Sequence, residues 1–378
     1  MKVLLYTYEM VRGVERLMPW RTLVEVAKYA PEDYEVSICS AQNPDEPREY
    51  DGVKIYSIDY GTDALRHFVE DGGWEVVYYP ITYRQGLKDT SNLASIKARK
   101  IAYVPGGLCP LSGSLKLILM GEAKRALPYL LDTITPHSWI ARKLQKVGFE
   151  GIVCQSNLTA QDALHSGWKN TVCALPGNAS IINEDYFDGG HYEGLGLKGE
   201  KFILFSGAPA STRGAALAIK AFDKVASLLP DTKMVMLMRR DVSSDFSSFE
   251  KAVSEIKHKA RFIICYDKLT HSQLFHYFKS AWAVLLPFLI IPSEIPLTYF
   301  EVMRLGTPVV TFDNGGTTEY LKKGLLISRH RTVSSFADAI AEICKNTELR
   351  NSLSENALTI MSSHPSWKET SQKWLSVL

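Results

Sequence analysis

Residues 292–321 read PSEIPLTYFEVMRLGTPVVTFDNGGTTEYL, and this stretch decides how the C-terminal half of the chain folds. Pro296 suits the first turn of a helix, because its missing N–H would have no partner there. We expect this helix to run from about residue 296 to residue 305 and to end at Gly306. Residues 307–312 predict a strand, and Asn314-Gly315-Gly316 predicts a turn into a second helix. A helix N-terminus at a sheet edge can bind a diphosphate, whereas the other interpretation is a buried strand–helix unit that binds nothing.

The same alternation of strand and helix extends over the whole chain. Helical spacing of apolar residues over 17–29 and 215–229 separates short apolar runs that are typical of buried parallel strands. The predicted strands are residues 3–8, 34–40, 52–58, 75–80, 100–104, 151–156, 202–205, 233–238, 261–266, 281–286 and 308–312. Strands that alternate with helices predict right-handed βαβ units and a mainly parallel sheet.

The length of 378 residues predicts two domains rather than one. Five glycines crowd into residues 189–199, and we interpret the segment 186–201 as a linker. The prediction is an α/β chain with two Rossmann-like, doubly wound domains, over residues 1–188 and 197–362. Ligands of open α/β sheets bind beyond the carboxyl ends of the strands, so two such domains can face a central cleft.

Composition and charge give no indication of nucleic-acid binding, of a cysteine-based site or of a membrane segment. The 43 basic and 41 acidic residues leave a net charge of +2, which gives no global reason to expect nucleic-acid binding. The six cysteines are scattered without a CxxC pair, so neither a zinc site nor a disulfide framework is predicted. The N-terminus MKVLLYTYEM is too short and too soon polar for a signal peptide, and no stretch reaches the ~20 apolar residues that span a bilayer. We expect a cytoplasmic protein.

The stretch 292–321 resembles the C-terminal signature of family 4 retaining nucleotide-sugar glycosyltransferases, which have the GT-B fold. The match consists of Pro296-Leu297-Thr298, Glu301 and Gly306-Thr307-Pro308-Val309-Val310. The resemblance implies that Glu301 binds the ribose of a nucleotide. It also implies that the backbone of Ile295, Pro296, Leu297 and Thr298 holds the phosphates.

One acidic position departs from that family. Ser293 occupies the position of the first glutamate of the signature, and Glu294 is displaced by one residue. Since the family uses this acid near the donor sugar, two alternatives follow. Either Glu294 reaches the sugar through an altered loop, or the sugar is held differently.

Residues 205–222, FSGAPASTRGAALAIKAF, resemble the family's first C-terminal strand and the loop that binds the donor diphosphate. The resemblance implies donor contacts by Gly207 and neutralisation of the diphosphate by Arg213, and it places Lys268 beside the nucleotide base. The family's preceding arginine is replaced by Ala208. Arg239 or Arg240 can compensate, or this pair is an ordinary solvated strand end.

The resemblance is weaker in the N-terminal half. Gly13 lies in a segment similar to the family's glycine-rich loop, where Arg12 replaces a second glycine. Pro105 occupies the position of a histidine that many members carry. The C-terminal segment 363–378 resembles a helix that crosses back onto the N-terminal domain, with Trp367 and Trp374 as packing residues.

These residues predict transfer of a hexose-type sugar from a nucleotide-diphosphate donor to an acceptor hydroxyl, with retention of configuration. Arg213 and Glu294 are the candidate catalytic residues, and neither a metal nor a cofactor is expected, because a cation and helix N–H groups can stabilise the departing diphosphate. The acceptor is a glycan, a lipid-linked molecule or a small molecule. Residues 115–131 mix aliphatic and basic side chains, which predicts either a peripheral membrane contact or a helix packed on its own sheet.

Other interpretations stay open at this point. His137, His165, Asp132 and Asp162 are candidate acceptor-site bases or ordinary structural and solvated residues. A sugar phosphorylase would need a longer chain, and a nucleotide-sugar epimerase fits the 306–310 run less well. A scaffold that binds a sugar or a partner without catalysis is supported by Ala208, Ser293 and Pro105.

Overall fold

The computed structural model describes residues 1–15, 17–41, 47–82, 88–106, 111–178, 187–239, 246–291 and 293–378. Arg240 and Pro292, which belong to the motifs above, lie outside these residues, as does Cys109. The described chain forms two α/β domains, each built on one twisted sheet of mostly parallel strands. The predicted fold class is confirmed.

The N-terminal sheet has eight strands in the order β3-β4-β2-β1-β5-β6-β7-β8. All neighbouring pairs are parallel except β3 and β4. Its strands are β1 (Lys2–Tyr8), β2 (Glu35–Ala41), β3 (Arg48–Tyr50), β4 (Val53–Ile58), β5 (Val76–Pro80), β6 (Arg99–Tyr103), β7 (Phe149–Cys154) and β8 (Thr171–Cys173). The helices between them are α1 (Trp20–Lys28), α2 (Thr62–Gly72), α3 (Leu111–Leu119), α4 (Ala123–Ile134), α5 (His137–Lys146) and α6 (Asn157–His165).

The C-terminal sheet has six strands, all parallel, in the order β11-β10-β9-β12-β13-β14. They are β9 (Lys201–Gly207), β10 (Thr232–Met238), β11 (Phe262–Cys265), β12 (Ala283–Leu286), β13 (Val309–Phe312) and β14 (Leu325–Ser328). The helices are α7 (Gly190–Gly194), α8 (Ala215–Val225), α9 (Ser247–Ser254), α10 (His271–Ser280), α11 (Leu297–Met303), α12 (Gly316–Leu321), α13 (Val333–Lys345), α14 (Thr347–Ser362) and α15 (Trp367–Leu375).

Both faces of each sheet are covered, which explains the continuous apolar runs of the central strands. The glycine-rich segment before β9 includes α7, whose Tyr192 is buried in the C-terminal core together with Leu197. Helix α15 lies against the N-terminal sheet. There the hydroxyl of Tyr78 donates to the carbonyl of Trp374 at 2.9 Å, and Ser371 donates to the carbonyl of Val26 at 2.7 Å.

Helices α3 and α4 follow an N-terminal strand but pack on the C-terminal domain. Leu117 and Ala126 are buried in the same core as β9 and α8. A side chain at Gly113 would lie 2.0 Å from the carbonyl oxygen of Leu289, so the backbone of α3 is in close contact with the loop after β12. The buried face of these helices therefore covers neither a membrane nor their own sheet.

No helix among the described residues combines the length and the apolar character that crossing a bilayer requires.

Candidate functional site

The carboxyl edge of the C-terminal sheet is open at the end of β9. Gly207 ends this strand with φ near +145°, and a side chain there would meet no atom of the described residues within 4 Å. The backbone N–H of Arg239, just after β10, donates to the carbonyl of Gly207 at 3.0 Å. Two residues that the sequence assigned to donor contacts and charge compensation therefore lie side by side at the end of two adjacent strands.

A tight turn joins β9 to α8 and sets the position of Arg213. Residues Ser211–Arg213 form one turn of 3-10 helix, and Gly214 follows with φ near +73°. A side chain at Gly214 would lie 2.1 Å from the carbonyl oxygen of Pro287. The backbone N–H of Leu289 donates to the carbonyl of Thr212 at 2.9 Å. The turn is thus held against the segment that follows β12, and glycine is required where the two backbones meet.

Arg213 is half-buried at this turn, and its guanidinium lies over the ring of Phe288 at 4.7 Å. The stacked ring fixes the planar cation beside the segment that follows β12.

The predicted phosphate-binding backbone lies at the start of α11. Pro296 is the residue before the helix, with an extended conformation, and α11 begins at Leu297. Ile295 and Pro296 are buried, whereas Leu297 and Thr298 are half-buried. Helix α11 ends at Met303, and Gly306 follows two residues after its cap with φ near +72°.

Glu301 lies on α11 and is half-buried. Burial raises the pKa of Glu301 to about 7, and the positive charge of Arg304 opposes this shift. A half-buried carboxyl that holds or releases a proton near neutral pH can accept hydrogen bonds from sugar hydroxyls. Lys268, assigned to the base, is exposed in the loop after β11.

Ser293 and Glu294 lie at a contact between the domains. Both are buried, and the carboxylate of Glu294 accepts a hydrogen bond of 2.7 Å from the backbone N–H of Gln155. It also accepts a hydrogen bond from the hydroxyl of Ser156, the residue that caps the N-terminus of α6. Burial raises the pKa of Glu294 to about 7, and these hydrogen bonds oppose the shift. The displaced acid of the signature is therefore engaged with the N-terminal domain.

On the N-terminal side, Gly13 is exposed in the loop after β1 with φ near +93°. Its N–H donates to the carboxylate of Glu15 at 2.6 Å, and Glu15 forms a buried ion pair with Arg48 at 2.8 Å. Arg48 also donates to the carbonyl of Met10 at 2.8 Å. Sequence reasoning did not identify this pair, because its members are far apart in the chain and carry no common motif.

Two of the residues considered as acceptor-site bases meet beyond the ends of β5, β6 and β7. Nδ1 of His137 lies 2.6 Å from a carboxylate oxygen of Asp162, and Nε2 faces the carbonyl of Asp132 at 3.4 Å. The pair lines a cavity together with Ile81, Val104, Thr159 and Trp168. His165, by contrast, is exposed at the end of α6.

The structure also brings together three side chains that the sequence did not indicate as a set. His191, Cys265 and Asp267 place ligand-type atoms within 4.8 Å of one another. No motif could reveal this cluster, because 74 residues separate His191 from Cys265.

Comparison with known proteins agrees with this architecture. Residues 193–359 match the family described as glycosyl transferases group 1. A putative glycosyltransferase, YtcC, of Bacillus subtilis (strain 168) is 28% identical over 176 residues, which span 43% of this chain and 41% of that relative.

Solved structures resemble the whole chain. A sucrose-phosphate synthase from Thermosynechococcus elongatus superposes with a TM-score of 0.72 at 14% identity, covering 100% of this chain and 98% of that one. The Anabaena protein HepE, in complex with UDP and glucose, superposes with a TM-score of 0.69 at 13% identity over 100% of both chains. The chain has the GT-B fold, and its residues 193–359 are similar to the glycosyl transferases group 1 family.

Proposed function

We propose that this chain is a glycosyltransferase that moves a hexose-type sugar from a nucleotide-diphosphate donor to an acceptor hydroxyl, with retention of configuration. The similarity of residues 193–359 to the group 1 glycosyl transferases supports sugar transfer from a nucleotide sugar. The observation that carries the proposal is the position of Arg213, stacked on Phe288 beside the open end of β9. A fixed cation at this edge can stabilise the charge that develops on a departing diphosphate.

The donor lies against the C-terminal sheet in this proposal. Its diphosphate lies between Gly207, Arg213 and the backbone of residues 295–298, and Glu301 accepts hydrogen bonds from the ribose. Lys268, exposed after β11, lies beside the base. Since a similar fold holds UDP and glucose in HepE, UDP is the first nucleotide to test.

In this mechanism the acceptor hydroxyl attacks the face of the sugar from which the nucleotide leaves. The chain holds the two substrates in position and supplies a positive charge, and no side chain acts as a nucleophile. The donor needs no metal ion, because the cationic side chain and backbone N–H groups compensate the diphosphate.

The nature of the acceptor is suggested by the exposed face of α3 and α4. Leu115, Leu119 and Leu127 have 47%, 83% and 52% of their surface exposed, and Lys124 is exposed beside them. Their opposite face is already packed on the C-terminal domain, so these side chains remain available to an apolar surface. Among the three acceptor classes, a lipid-linked acceptor reached by peripheral contact with a membrane fits this surface best.

A second candidate function rests on Glu294. Because its carboxylate is buried against Gln155 and Ser156, the acid that family members use near the donor sugar is engaged elsewhere. This contact favours a scaffold that keeps the GT-B fold and binds a sugar or a partner without transfer.

Thermal unfolding in the presence of UDP, GDP, ADP and their sugar conjugates distinguishes the two candidates. A ligand that binds the folded state raises the midpoint by mass action. We expect one diphosphate to raise it, and Glu301→Gln to reduce the increase while Glu348→Gln, on the exposed side of α14, leaves it unchanged. A folded sample that responds to no nucleotide would favour the scaffold.

Contact with a membrane is tested separately by flotation with vesicles that contain anionic lipid. We expect the wild type to float, and the Leu119→Asp variant to stay in the soluble fraction. Equal flotation of both would remove the α3–α4 surface from the proposal and leave the transferase intact.

A further inference from the structure

Three side chains of metal-ligand type converge at the carboxyl end of β11. His191 comes from α7, Cys265 is the last residue of β11, and Asp267 follows in the next loop. Nε2 of His191 lies 3.1 Å from a carboxylate oxygen of Asp267 and 3.8 Å from Sγ of Cys265. The same carboxylate oxygen lies 3.4 Å from Sγ. The three atoms therefore form a compact triangle of one nitrogen, one sulfur and one oxygen.

The size of this triangle fits a tetrahedral metal ion. Zinc binds thiolate sulfur at about 2.3 Å, imidazole nitrogen at about 2.0–2.1 Å and carboxylate oxygen at about 2.0–2.2 Å. Tetrahedral angles at those bond lengths separate the ligand atoms by about 3.3–3.6 Å. The observed separations of 3.1, 3.4 and 3.8 Å bracket that range.

The imidazole of His191 is oriented by a second contact. Its Nδ1 lies 2.8 Å from the hydroxyl of Tyr277, a side chain with no exposed surface. When Nε2 faces a metal, Nδ1 carries the proton and donates it to this hydroxyl. Metal-binding histidines commonly have such a partner, which fixes the tautomer and the direction of the ring.

One backbone donor also faces the sulfur of Cys265. The side chain is 6% exposed, and the backbone N–H of Asp267 donates to Sγ at 3.4 Å. Asp267 itself has a side chain that is 72% exposed, so the open side of the triangle faces solvent. An ion bound to the three side chains would keep one coordination position open to water or a ligand.

We propose that His191, Cys265 and Asp267 form a binding site for a zinc-class divalent ion. Binding breaks the S–H bond of Cys265, the proton goes to solvent, and the thiolate, Nε2 and the carboxylate each donate an electron pair to the metal. The site joins α7 to the loop after β11 and so stabilises the C-terminal domain. It is separate from the diphosphate region, because β10 lies between β11 and the strand that ends at Gly207.

Cobalt substitution tests the site directly, because a thiolate bound to Co²⁺ produces a charge-transfer absorption band. The full chain is stripped with chelator and titrated with Co²⁺, and Zn²⁺ is then added as competitor. We expect one equivalent of Co²⁺ to produce the band, Zn²⁺ to remove it, and Cys265→Ser and His191→Ala to abolish it. Tyr277→Phe keeps all three ligands and should weaken binding about 10-fold or more.

Two variants serve as controls. Cys344→Ser removes another buried thiol, and His258→Ala removes a histidine that pairs with Asp223 at 3.0 Å. Both should keep the band and the affinity of the wild type. A stripped wild type that produces no band, or a band that persists in folded Cys265→Ser, would overturn the proposal.

Thermal unfolding supplies a readout for variants that fold poorly. Zn²⁺ should raise the midpoint of the wild type and of both controls, and it should leave Cys265→Ser unchanged. An equal increase in Cys265→Ser would place the bound ion elsewhere. The increase caused by a nucleotide is measured in parallel, so loss of the metal site and loss of donor binding are distinguished.

Discussion

The carboxylate of Glu294, in the C-terminal domain, accepts a hydrogen bond of 2.7 Å from the backbone N–H of Gln155 in the N-terminal domain. It thereby lies at the N-terminus of α6, where free N–H groups and the helix dipole favour a negative charge. The contact is close, because a side chain at Gly316 would lie 2.3 Å from the hydroxyl oxygen of Ser156. The protonation state of this one buried acid therefore affects the contact between the two domains.

The variant Glu294→Gln is expected to flatten the pH dependence of stability. Because the folded-state pKa is raised to about 7 from 4.5, this group contributes stability that is fully present below pH 4.5 and is lost as the pH rises through 7. The effect is at most ~3 kcal/mol. The free energy of unfolding from urea titrations at pH 4.5 to 8 measures it, with Glu348→Gln as control. A slope equal to that of the wild type would contradict the assigned burial of the charge.

The variant His364→Gln is expected to reduce the loss of folding stability at acidic pH. Nε2 of His364 donates to the carbonyl of Pro176 at 2.8 Å, so Nδ1 accepts from the hydroxyl of Tyr320 and the ring is neutral. Burial lowers the pKa of His364 to about 4 from 6.5. Stability is therefore present above pH 6.5 and is lost as the pH falls towards 4, by up to ~3 kcal/mol.

Glutamine can still donate to Pro176, so the variant should lose this pH dependence while keeping the hydrogen bond. The exposed His165→Gln is the control and should follow the wild type. An unchanged acid limb in His364→Gln would show that other groups control unfolding between pH 4 and 6.5.

The variant Gly214→Ala is expected to be severely destabilised. The residue has φ near +73°, and a side chain would meet the carbonyl oxygen of Pro287 at 2.1 Å. We expect a loss of about 3 kcal/mol or more from strain and overlap together. Gly199→Ala has a similar φ of +77°, and no atom of the described part of the chain lies within 4 Å of the added side chain, so it should lose only about 1 kcal/mol from strain. Equal losses in urea unfolding would show that the turn moves away from Pro287.

The variant Arg213→Ala is expected to reduce turnover more than donor binding. Removing a fixed positive charge that stabilises the transition state lowers kcat by about 10²–10³-fold. KM for the nucleotide-sugar donor changes little. Arg213→Lys should retain part of the wild-type activity. The control Arg142→Ala, on the exposed side of α5, should retain all of it. Steady-state kinetics with the donor found by thermal unfolding measure this, and an unchanged kcat would remove Arg213 from the mechanism.

Local patterns predicted the central strands of both sheets with small errors at their ends. The three strands that were missed, β3, β8 and β14, are only three or four residues long and lie at sheet edges. A strand of three residues shows no period, so β3 and β8 cannot be distinguished from loops by pattern. Length does not explain the missed β14, because β11, β12 and β13 also have four residues and were predicted. The domain limits, and the roles assigned to Gly13, Lys268 and Glu301, stay predictions.

The sequence by itself determined the alternation of strands and helices and the fold class, because those depend on residues close together in the chain. Tertiary structure decided which distant side chains meet. It placed Glu294 on Gln155, Leu117 of α3 in the C-terminal core, and His191 beside Cys265. The physical reason is that periodicity specifies which face of an element is buried, whereas the partner of that face depends on how two folded sheets dock.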